Sequence, residues 1–207
     1  MFVRDVAESE TAVGRRALAG RSQSVADGLI DATVEELREI GYDRLSIRSV
    51  GRRAGVSHAT TYGYFSSKQH LVAEAYWRRI QQWQSADNDG DDALTRLTTL
   101  FDRLSALLAA EPALTSAAMS AVLSSDPDVA RLRHTIGATT RDRLNKALGD
   151  ESTPDVLDSI HLSLNGVLLE AGAGHDAFDH LSPRLMTVVR LILRGSNSTQ
   201  SSTKGNS

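Results

Sequence analysis

Apolar residues recur every three or four positions along most of the chain, which is the pattern of amphipathic α-helices. One such stripe contains Ile30, Leu37 and Ile40, and Gly41 follows it, so we predict a first long helix over residues 22–40. No stretch is a credible strand, and no internal repeat is present. The pattern predicts an all-α protein of about nine helices.

Prolines, glycines and capping residues divide the rest of the chain into helices. Asp126 followed by Pro127 is a typical helix start, and Pro154 marks another. Residues 85–92 are polar and acidic and include a glycine, which predicts a loop. After residue 66 the predicted helices span 67–85, 92–108, 113–123, 127–148, 154–172 and 183–193.

Two short helices joined by a tight turn are predicted within residues 45–71. Ser46 is placed to cap the first of them and Ser57 the second. Gly55 lies between them, where the chain must turn, and glycine adopts a positive φ at little cost. Residues 44–73 contain five Arg or Lys and no Asp or Glu. A helix-turn-helix with one-sided positive charge is what binding in the DNA major groove requires.

The same stretch carries a family resemblance. The run AGVS at residues 54–57 and the run YGYFSSK at residues 62–68 resemble the N-terminal domain of the tetracycline-repressor (TetR) family, and the similarity covers about residues 25–75. Two positions depart from the family pattern: Thr61 stands where Leu is usual, and Gly63 where a large or basic residue is usual. The resemblance implies a variable second domain that binds a ligand and forms a homodimer, with no cofactor.

These arguments divide the chain into four parts. Residues 1–21 are predicted to be a flexible basic N-terminal arm, with a frayed terminus as the alternative. Residues 22–70 form the helix-turn-helix DNA-binding domain, and residues 71–194 form the helical ligand-binding and dimerisation domain. Residues 195–207 are almost all small and polar, which predicts a disordered tail.

The DNA contacts are predicted from position on the second short helix and from the family resemblance. His58 and Ala59 stand at its front, where side chains meet base edges, and Thr60 and Tyr62 lie further along. The resemblance adds positions that approach base edges or the phosphate backbone. The predicted DNA-binding set is Ser46, Arg48, Ser57, His58, Ala59, Thr60, Tyr62, Tyr64 and Lys68.

Two of these side chains and two nearby arginines have an alternative role. Tyr62 and Tyr64 could pack in the core, and Arg52 and Arg53 could form a solvated face. The acidic residues within 35–39 are expected on the outer face of the first helix, pointing away from DNA.

The charge distribution supports two functional halves. Residues 1–79 hold 12 Lys and Arg against 10 Asp and Glu, whereas residues 80–207 hold 11 against 16. The absence of cysteine excludes disulfides and thiol chemistry and fits a reducing cytoplasm. No run reaches the length of a membrane span, and the N-terminus is too charged for a secretory signal.

The last two predicted helices are the expected dimer interface, because broad apolar stripes on two helices from each of two copies would form a four-helix bundle. The alternative is that these stripes face only the protomer's own core. The predicted interface is Leu157, Ile160, Leu164, Leu168, Leu185, Val188, Val189 and Ile192.

A ligand pocket is expected among the helices that start near residues 92, 127 and 154. Its aliphatic lining suits a lipid-like or acyl ligand better than a polar metabolite. Residues 111–120 are also similar to the branch of the family that represses sterol and fatty-acid catabolism. The predicted lining is Trp83, Phe101, Leu104, Leu108, Met119, Leu123, Ile136, His161 and Asn165, and His161 has a core histidine as its alternative.

Catalytic and metal sites are not predicted. No nucleophile elbow, phosphate-binding loop or recognisable carboxylate pair is present, so we do not expect an enzyme. Residues 175–180 hold two His and two Asp, but in an irregular loop that favours solvation over zinc binding.

The sequence therefore predicts a DNA-binding transcriptional regulator, a dimeric repressor released from a palindromic operator by a small apolar effector. The alternatives are a DNA-binding dimer without an effector, or a carrier or enzyme whose helix-turn-helix is vestigial.

Overall fold

The computed structural model describes residues 3–85, 90, 92–175 and 177–204, with side chains described from residue 22 to residue 195 of these ranges. All regular structure in this part of the chain is helical, which confirms the all-α prediction. A 3₁₀ turn follows α7 at Gly149–Glu151, and another precedes α9 at Phe178–His180. The α-helices are α1 (Val3–Arg44), α2 (Ile47–Arg53), α3 (His58–Tyr64), α4 (Lys68–Gln81), α5 (Ala93–Ala109), α6 (Pro112–Ala121), α7 (Pro127–Leu148), α8 (Pro154–Gly172) and α9 (Leu181–Lys204).

The N-terminal domain is formed by α1 to α3 packed against the start of α4. Gly41 interrupts the helical backbone of α1 with a φ of 73°, as predicted from its position after the apolar stripe. The helix starts at Val3 and not near residue 22, since residues 3–21 are rich in Ala, Glu and Arg, which favour helix even without an apolar stripe. Contact of this segment with DNA stays a prediction.

The C-terminal domain is built around α5. Leu97, Leu100, Phe101, Leu104 and Leu108 are all at most 1% exposed, because α6, α7 and α9 surround this helix. Two hydrogen bonds fix the connecting segments on it. Trp83 Nε1 donates to the carbonyl of Leu100 at 2.9 Å, and Ser105 Oγ donates to the carbonyl of Phe178 at 2.7 Å.

Helices α8 and α9 pack along each other and bury half of the predicted dimer interface inside the protomer. Ile160, Leu164, Leu185 and Val189 are at most 1% exposed, so a partner copy could not bury them further. Their stripes face the protomer's own core, which was the alternative role. Leu157, Leu168, Val188 and Ile192 are half-buried.

The ends of the described chain also differ from expectation. The backbone of α9 is helical up to Lys204, whereas the sequence placed the end of this helix at residue 193 and a disordered tail from residue 195. No described helix combines the length and apolar content that a membrane span would need.

Candidate DNA-binding surface, cavity and domain junction

The helix-turn-helix is held by reciprocal caps and one glycine. Ser46 Oγ accepts from the amide of Ser49 at 3.0 Å, and Ser49 Oγ accepts from the amide of Ser46 at 3.2 Å, which forms a capping box for α2. Gly55 has a φ of 67° in the turn, and Ser57 Oγ accepts from the amide of Thr60 at 3.1 Å at the start of α3. These three predicted roles are confirmed.

The contact between α2 and α3 depends on a small residue in each helix. A methyl group added at Gly51 would lie 2.6 Å from Thr61 Oγ1, and Thr61 is fully buried. The Thr61 hydroxyl donates to the carbonyl of Ser57 at 2.9 Å, so its burial leaves no unpaired donor. Thr61, which stands where the family usually has Leu, therefore packs closely against Gly51.

One face of α3 is open to solvent. His58, Ala59, Thr60 and Tyr62 are all exposed, and Tyr62 retains 50% of its accessible surface. The rings of His58 and Tyr62 meet edge to face, with centroids 4.7 Å apart. The exposure of Tyr62 excludes core packing for this residue and leaves its ring and hydroxyl available to a ligand such as DNA.

The remaining predicted DNA-binding residues are placed differently from one another. Ser46, the N-cap of α2, and Arg48, on its first turn, are both exposed. Tyr64 is half-buried, and its hydroxyl donates to Ser22 Oγ at 3.1 Å. Lys68 is also half-buried: its ammonium donates to the carbonyl of Tyr42 at 3.0 Å and lies 4.4 Å from the centroid of that ring. Lys68 thus supports the end of α1, and only its remaining donors could meet a phosphate.

Arg53 is exposed but paired with carboxylates of α1, and its contact with Glu36 corrects the expectation for that acidic residue. Its Nε donates to Glu36 at 2.7 Å, and its Nη atoms bind Glu39 and Glu35. Glu36 is 4% exposed, so this carboxylate points inward and not to the outer face of α1. The hydrogen bond from Arg53 lowers the pKa of Glu39. This acidic clamp (Arg53 with Glu35, Glu36 and Glu39) fixes α2 on α1.

Behind the N-terminal domain, a cavity of about 430 Å³ lies among α4, α5, α6, α7 and α8. Its size falls in the range of small-molecule sites, about 300–1,000 Å³. Phe101 and Leu108 do not line it; both are fully buried elsewhere in the core around α5. The predicted residues that do line it are Trp83, Leu104, Met119, Leu123, Ile136, His161 and Asn165.

Other lining residues were missed by the sequence reasoning. Leu164 and Leu168, assigned to the dimer interface, turn toward the cavity, and Leu169 joins them. Helical spacing could have found most of the rest, since positions three, four and seven residues apart share one face. The missed residues on the other helices are Tyr76, Ile80, Val122, Arg133, Gly137 and Thr140.

Two titratable residues of the described lining have shifted pKa values: burial raises the pKa of Tyr76, whereas the pKa of His161 is lowered. Burial lowers its pKa first, and the positive charge of Arg141 lowers it further against the opposing effect of Asp158. The imidazole is therefore neutral at pH 7 and able to donate or accept a hydrogen bond.

Two polar contacts connect the cavity-forming helices to the N-terminal domain. Glu111, at the start of α6, is 8% exposed; it accepts from Arg38 Nε of α1 at 3.0 Å and pairs with Arg79 of α4 at 3.2 Å. Leu114 and Ala118 of α6 are buried in the same core. Helix α6 thus contacts both α1 and α4.

The second contact, here called the domain junction, joins Ser66, Ser67 and His70 to Asp126 and Asp128. Ser67 Oγ caps α4 and donates to Asp126 Oδ2 at 2.5 Å, while Asp126 caps α7. Ser66 Oγ donates to Asp128 Oδ2 at 2.6 Å, and His70 Nδ1 lies 3.6 Å from the same oxygen. The hydrogen bond from Ser67 lowers the pKa of Asp126. Two helix N-termini from different domains are tied together directly.

The His- and Asp-containing loop near residue 175 provides no metal site that the structure describes. Among the described residues, no group of three or more His, Asp or Glu side chains could hold a metal ion. His175 and His180 are exposed, and Asp176 lies outside the described residues.

Known proteins share both the sequence pattern and the fold. The family model of bacterial regulatory proteins, tetR family, matches residues 29–75. The chain is 34% identical over 179 residues to an HTH-type transcriptional regulator of Mycobacterium tuberculosis, covering 86% of this chain and 84% of that protein. It is 27% identical over 197 residues to the HTH-type transcriptional repressor KstR of Mycolicibacterium smegmatis, covering 89% and 93%.

Among solved structures, the transcriptional regulator FadR from Bacillus subtilis in complex with stearoyl-CoA has a similar fold, with a TM-score of 0.62 and 16% identity. The match covers 78% of this chain and 96% of that chain. Together with the helix-turn-helix geometry and the second helical domain, these similarities show that the chain belongs to the TetR family of bacterial transcriptional regulators.

Proposed function

We propose that this protein is a homodimeric repressor whose α3 helices enter the major grooves of a palindromic operator and leave it when a small apolar effector binds. The observation that carries the proposal is the uncovered face of α3, with His58, Thr60 and Tyr62 exposed on a helix that caps and packing hold rigidly. In this proposal, contacts from these side chains to base edges supply sequence selectivity, and contacts from Arg48 and nearby cations to phosphates supply affinity. A cytoplasmic location, expected from the absence of cysteine, belongs to the same proposal.

The dimer surface that the fold favours lies on the outer face of α8 and α9. Leu162 and Leu191 are 70% and 65% exposed, and Leu169 is 53% exposed. Gly166 lies between the two leucines of α8 with open space around it, which permits close approach of another helix. A palindromic operator and one helix-turn-helix per chain require two copies, so we assign this apolar face to a second copy of the chain.

The effector site is the cavity behind α4. Its lining is mainly aliphatic and aromatic, which fits an apolar ligand. The repressor activity of the related KstR and the stearoyl-CoA bound by the similarly folded FadR support this choice over a pure dimerisation module.

The release mechanism follows from the same placement. Met119, Val122 and Leu123 line the cavity at the end of α6, and the domain junction follows within a few residues at Asp126. An effector that favours a different position of this segment would change the angle of α4 and therefore the separation of the two α3 helices. It must bind the released conformer more tightly than the DNA-bound one.

Selection of bound fragments from a genomic library, followed by fluorescence anisotropy on the selected operator, tests the proposal. We expect His58→Ala to weaken operator binding several-fold, since loss of a base contact costs about 1–3 kcal/mol. His134→Ala is the matched control, because His134 is also an exposed histidine and lies on α7. Raising the salt concentration should weaken binding steeply through counterion release. A chain that selects no DNA, or binds it with a flat salt response, would contradict the proposal and favour a carrier.

A further inference from the structure

Some of the side chains that line the cavity are polar, and a purely apolar effector does not explain their presence. Among the described residues that line it none is an Asp or Glu, and its polar side chains are Arg133, Thr140, His161 and Asn165, together with the phenol of Tyr76 and the indole N–H of Trp83. The Thr140 hydroxyl already donates to the carbonyl of Ile136 at 2.9 Å. His161 is neutral at pH 7 for the reasons given above. Arg133 is therefore the source of formal charge in the lining.

Arg133 lies where α7 faces the segment that follows α6. Its Nη1 donates to the carbonyls of Val122 at 2.6 Å and Ser124 at 3.3 Å. These hydrogen bonds satisfy carbonyl acceptors that follow the end of α6. A guanidinium carries five N–H donors, so Nε and Nη2 keep three of them. Within the described part of the chain Arg133 forms no ion pair, whereas Arg131 and Arg141 of the same helix pair with Asp128 and Asp158.

The apolar part of the cavity begins one turn further along the same helix. Ile136 and Gly137 follow Arg133 on its face of α7, and Leu164 and Leu168 lie across from them on α8. A ligand that fills the cavity from the Arg133 end would meet charge first and hydrocarbon afterwards. Leu123, 69% exposed, lies next to the loop that Arg133 holds, which places this end of the cavity near solvent.

We infer that the effector is an amphipathic carboxylate, whose anionic group pairs with Arg133 at the open end of the cavity and whose hydrocarbon body occupies the remainder. The inference rests on the proposed effector site and names its ligand class. At about 30 Å³ per water-sized group, the 430 Å³ volume holds roughly 14 non-hydrogen atoms. The planar fork of a guanidinium matches a carboxylate in two parallel hydrogen bonds.

The same arginine connects the ligand to the domain junction. Ser124, whose carbonyl accepts from Arg133, also accepts with its Oγ from the amide of Asp126 at 3.2 Å. Asp126 in turn accepts from Ser67, the N-cap of α4. A carboxylate that draws Arg133 away from the loop carbonyls would disturb a chain of three hydrogen bonds that ends at the start of α4.

Binding of a matched pair of probes tests the assignment. Dodecanoate and dodecanol share one hydrocarbon chain and differ in charge, and isothermal titration calorimetry below the micelle concentration of dodecanoate measures both on the full-length protein. We expect dodecanoate to bind at least tenfold more tightly. Arg133→Gln should reduce dodecanoate affinity roughly ten- to hundredfold, because a charged hydrogen-bonded pair contributes about 1.5–3 kcal/mol, and should leave dodecanol affinity unchanged.

Lys146→Gln is the control, since it removes one positive charge from the same helix at a residue paired with Asp142 outside the cavity. It should leave both affinities unchanged. Unaltered dodecanol binding to Arg133→Gln also shows that this variant is folded. Equal affinity for the two probes, binding of neither, or an unchanged ratio in Arg133→Gln would overturn the inference. Operator binding is measured separately and does not depend on the probe titrations. A protein that fails to bind the operator could still show the expected ratio of probe affinities.

Discussion

The acidic clamp between α1 and α2 gives the sharpest stability prediction. Arg53→Met removes the guanidinium but keeps most of the aliphatic length of the side chain. Glu36, 4% exposed, then loses the 2.7 Å hydrogen bond that compensates its charge. A buried acceptor left without its hydrogen-bond partner costs about 1–3 kcal/mol of stability. The Glu36 side chain is 6% exposed and carries this cost, whereas water screens the contacts of Arg53 with Glu35 and Glu39 at the surface. We therefore expect a loss of about 2 kcal/mol, from the unpaired Glu36 alone.

Thermal unfolding measures this loss directly. For a chain of this length each kcal/mol shifts Tm by about 2–4 °C, so Arg53→Met should lower Tm by roughly 4–8 °C. Arg52→Met is the matched control: Arg52 is the exposed neighbour on the same helix and should change Tm by less than about 2 °C, as typical surface substitutions do. The double variant Glu36→Met with Arg53→Met should recover most of the loss, since two apolar groups replace the pair.

The pH dependence provides a second check. The pKa of Glu39 is lowered from 4.5 by its hydrogen bond to Arg53, so its stabilising contribution is present above pH 4.5 and disappears as the pH falls through the lower folded pKa. The difference in Tm between the wild type and Arg53→Met should therefore shrink in acid. An unchanged Tm in Arg53→Met at pH 7, or a double variant as unstable as the single one, would refute the role of the clamp.

Three further substitutions test packing, dimerisation and the domain junction. Gly51→Ala should destabilise the protein by about 1–3 kcal/mol in chemical denaturation, because the new methyl group meets Thr61; Gly63→Ala, which meets nothing within 4 Å, should not, and equal effects would argue against the contact. Leu191→Glu should convert dimers to monomers in light scattering, whereas Leu94→Glu, an exposed leucine of α5, should not; a dimeric Leu191→Glu would place the interface elsewhere. Asp126→Ala and Asp92→Ala each remove an aspartate N-cap and should lower stability to a similar extent. Only Asp126→Ala breaks the domain junction, so it alone should weaken operator binding several-fold in fluorescence anisotropy. Equal effects of the two substitutions would show that the junction does not contribute to DNA binding.

The local structure of the helix-turn-helix follows from short-range chemistry. Ser46, Gly55 and Ser57 act on amides and φ angles within four residues of themselves, so their roles could be predicted without knowledge of the packing. The same holds for the helix starts at Pro127 and Pro154, where a proline occupies the first helical turn. Short-range signals of this kind therefore locate the beginnings of these helices.

Longer-range pairing could not be predicted in this way. Glu36 faces inward because Arg53, seventeen residues later, lies against it. Lys68 turns toward Tyr42 because the end of α1 lies beside the start of α4. A charged residue looks solvent-exposed in a sequence, and only a partner brought by the fold changes that expectation.

The apolar stripes of α8 and α9 show the same limit for the candidate site. The sequence by itself determined that these helices are amphipathic, that the chain is all-α, and that residues 45–71 form a DNA-binding motif. It could not decide which apolar side of α8 faces the core, the cavity or a partner, since periodicity identifies a face but not what covers it. The tertiary structure decided this by placing Ile160 in the core, Leu168 at the cavity and Leu162 in solvent. It also brought Arg133 to the end of that cavity, because the angle at which helices pack depends on side chains far apart in the chain.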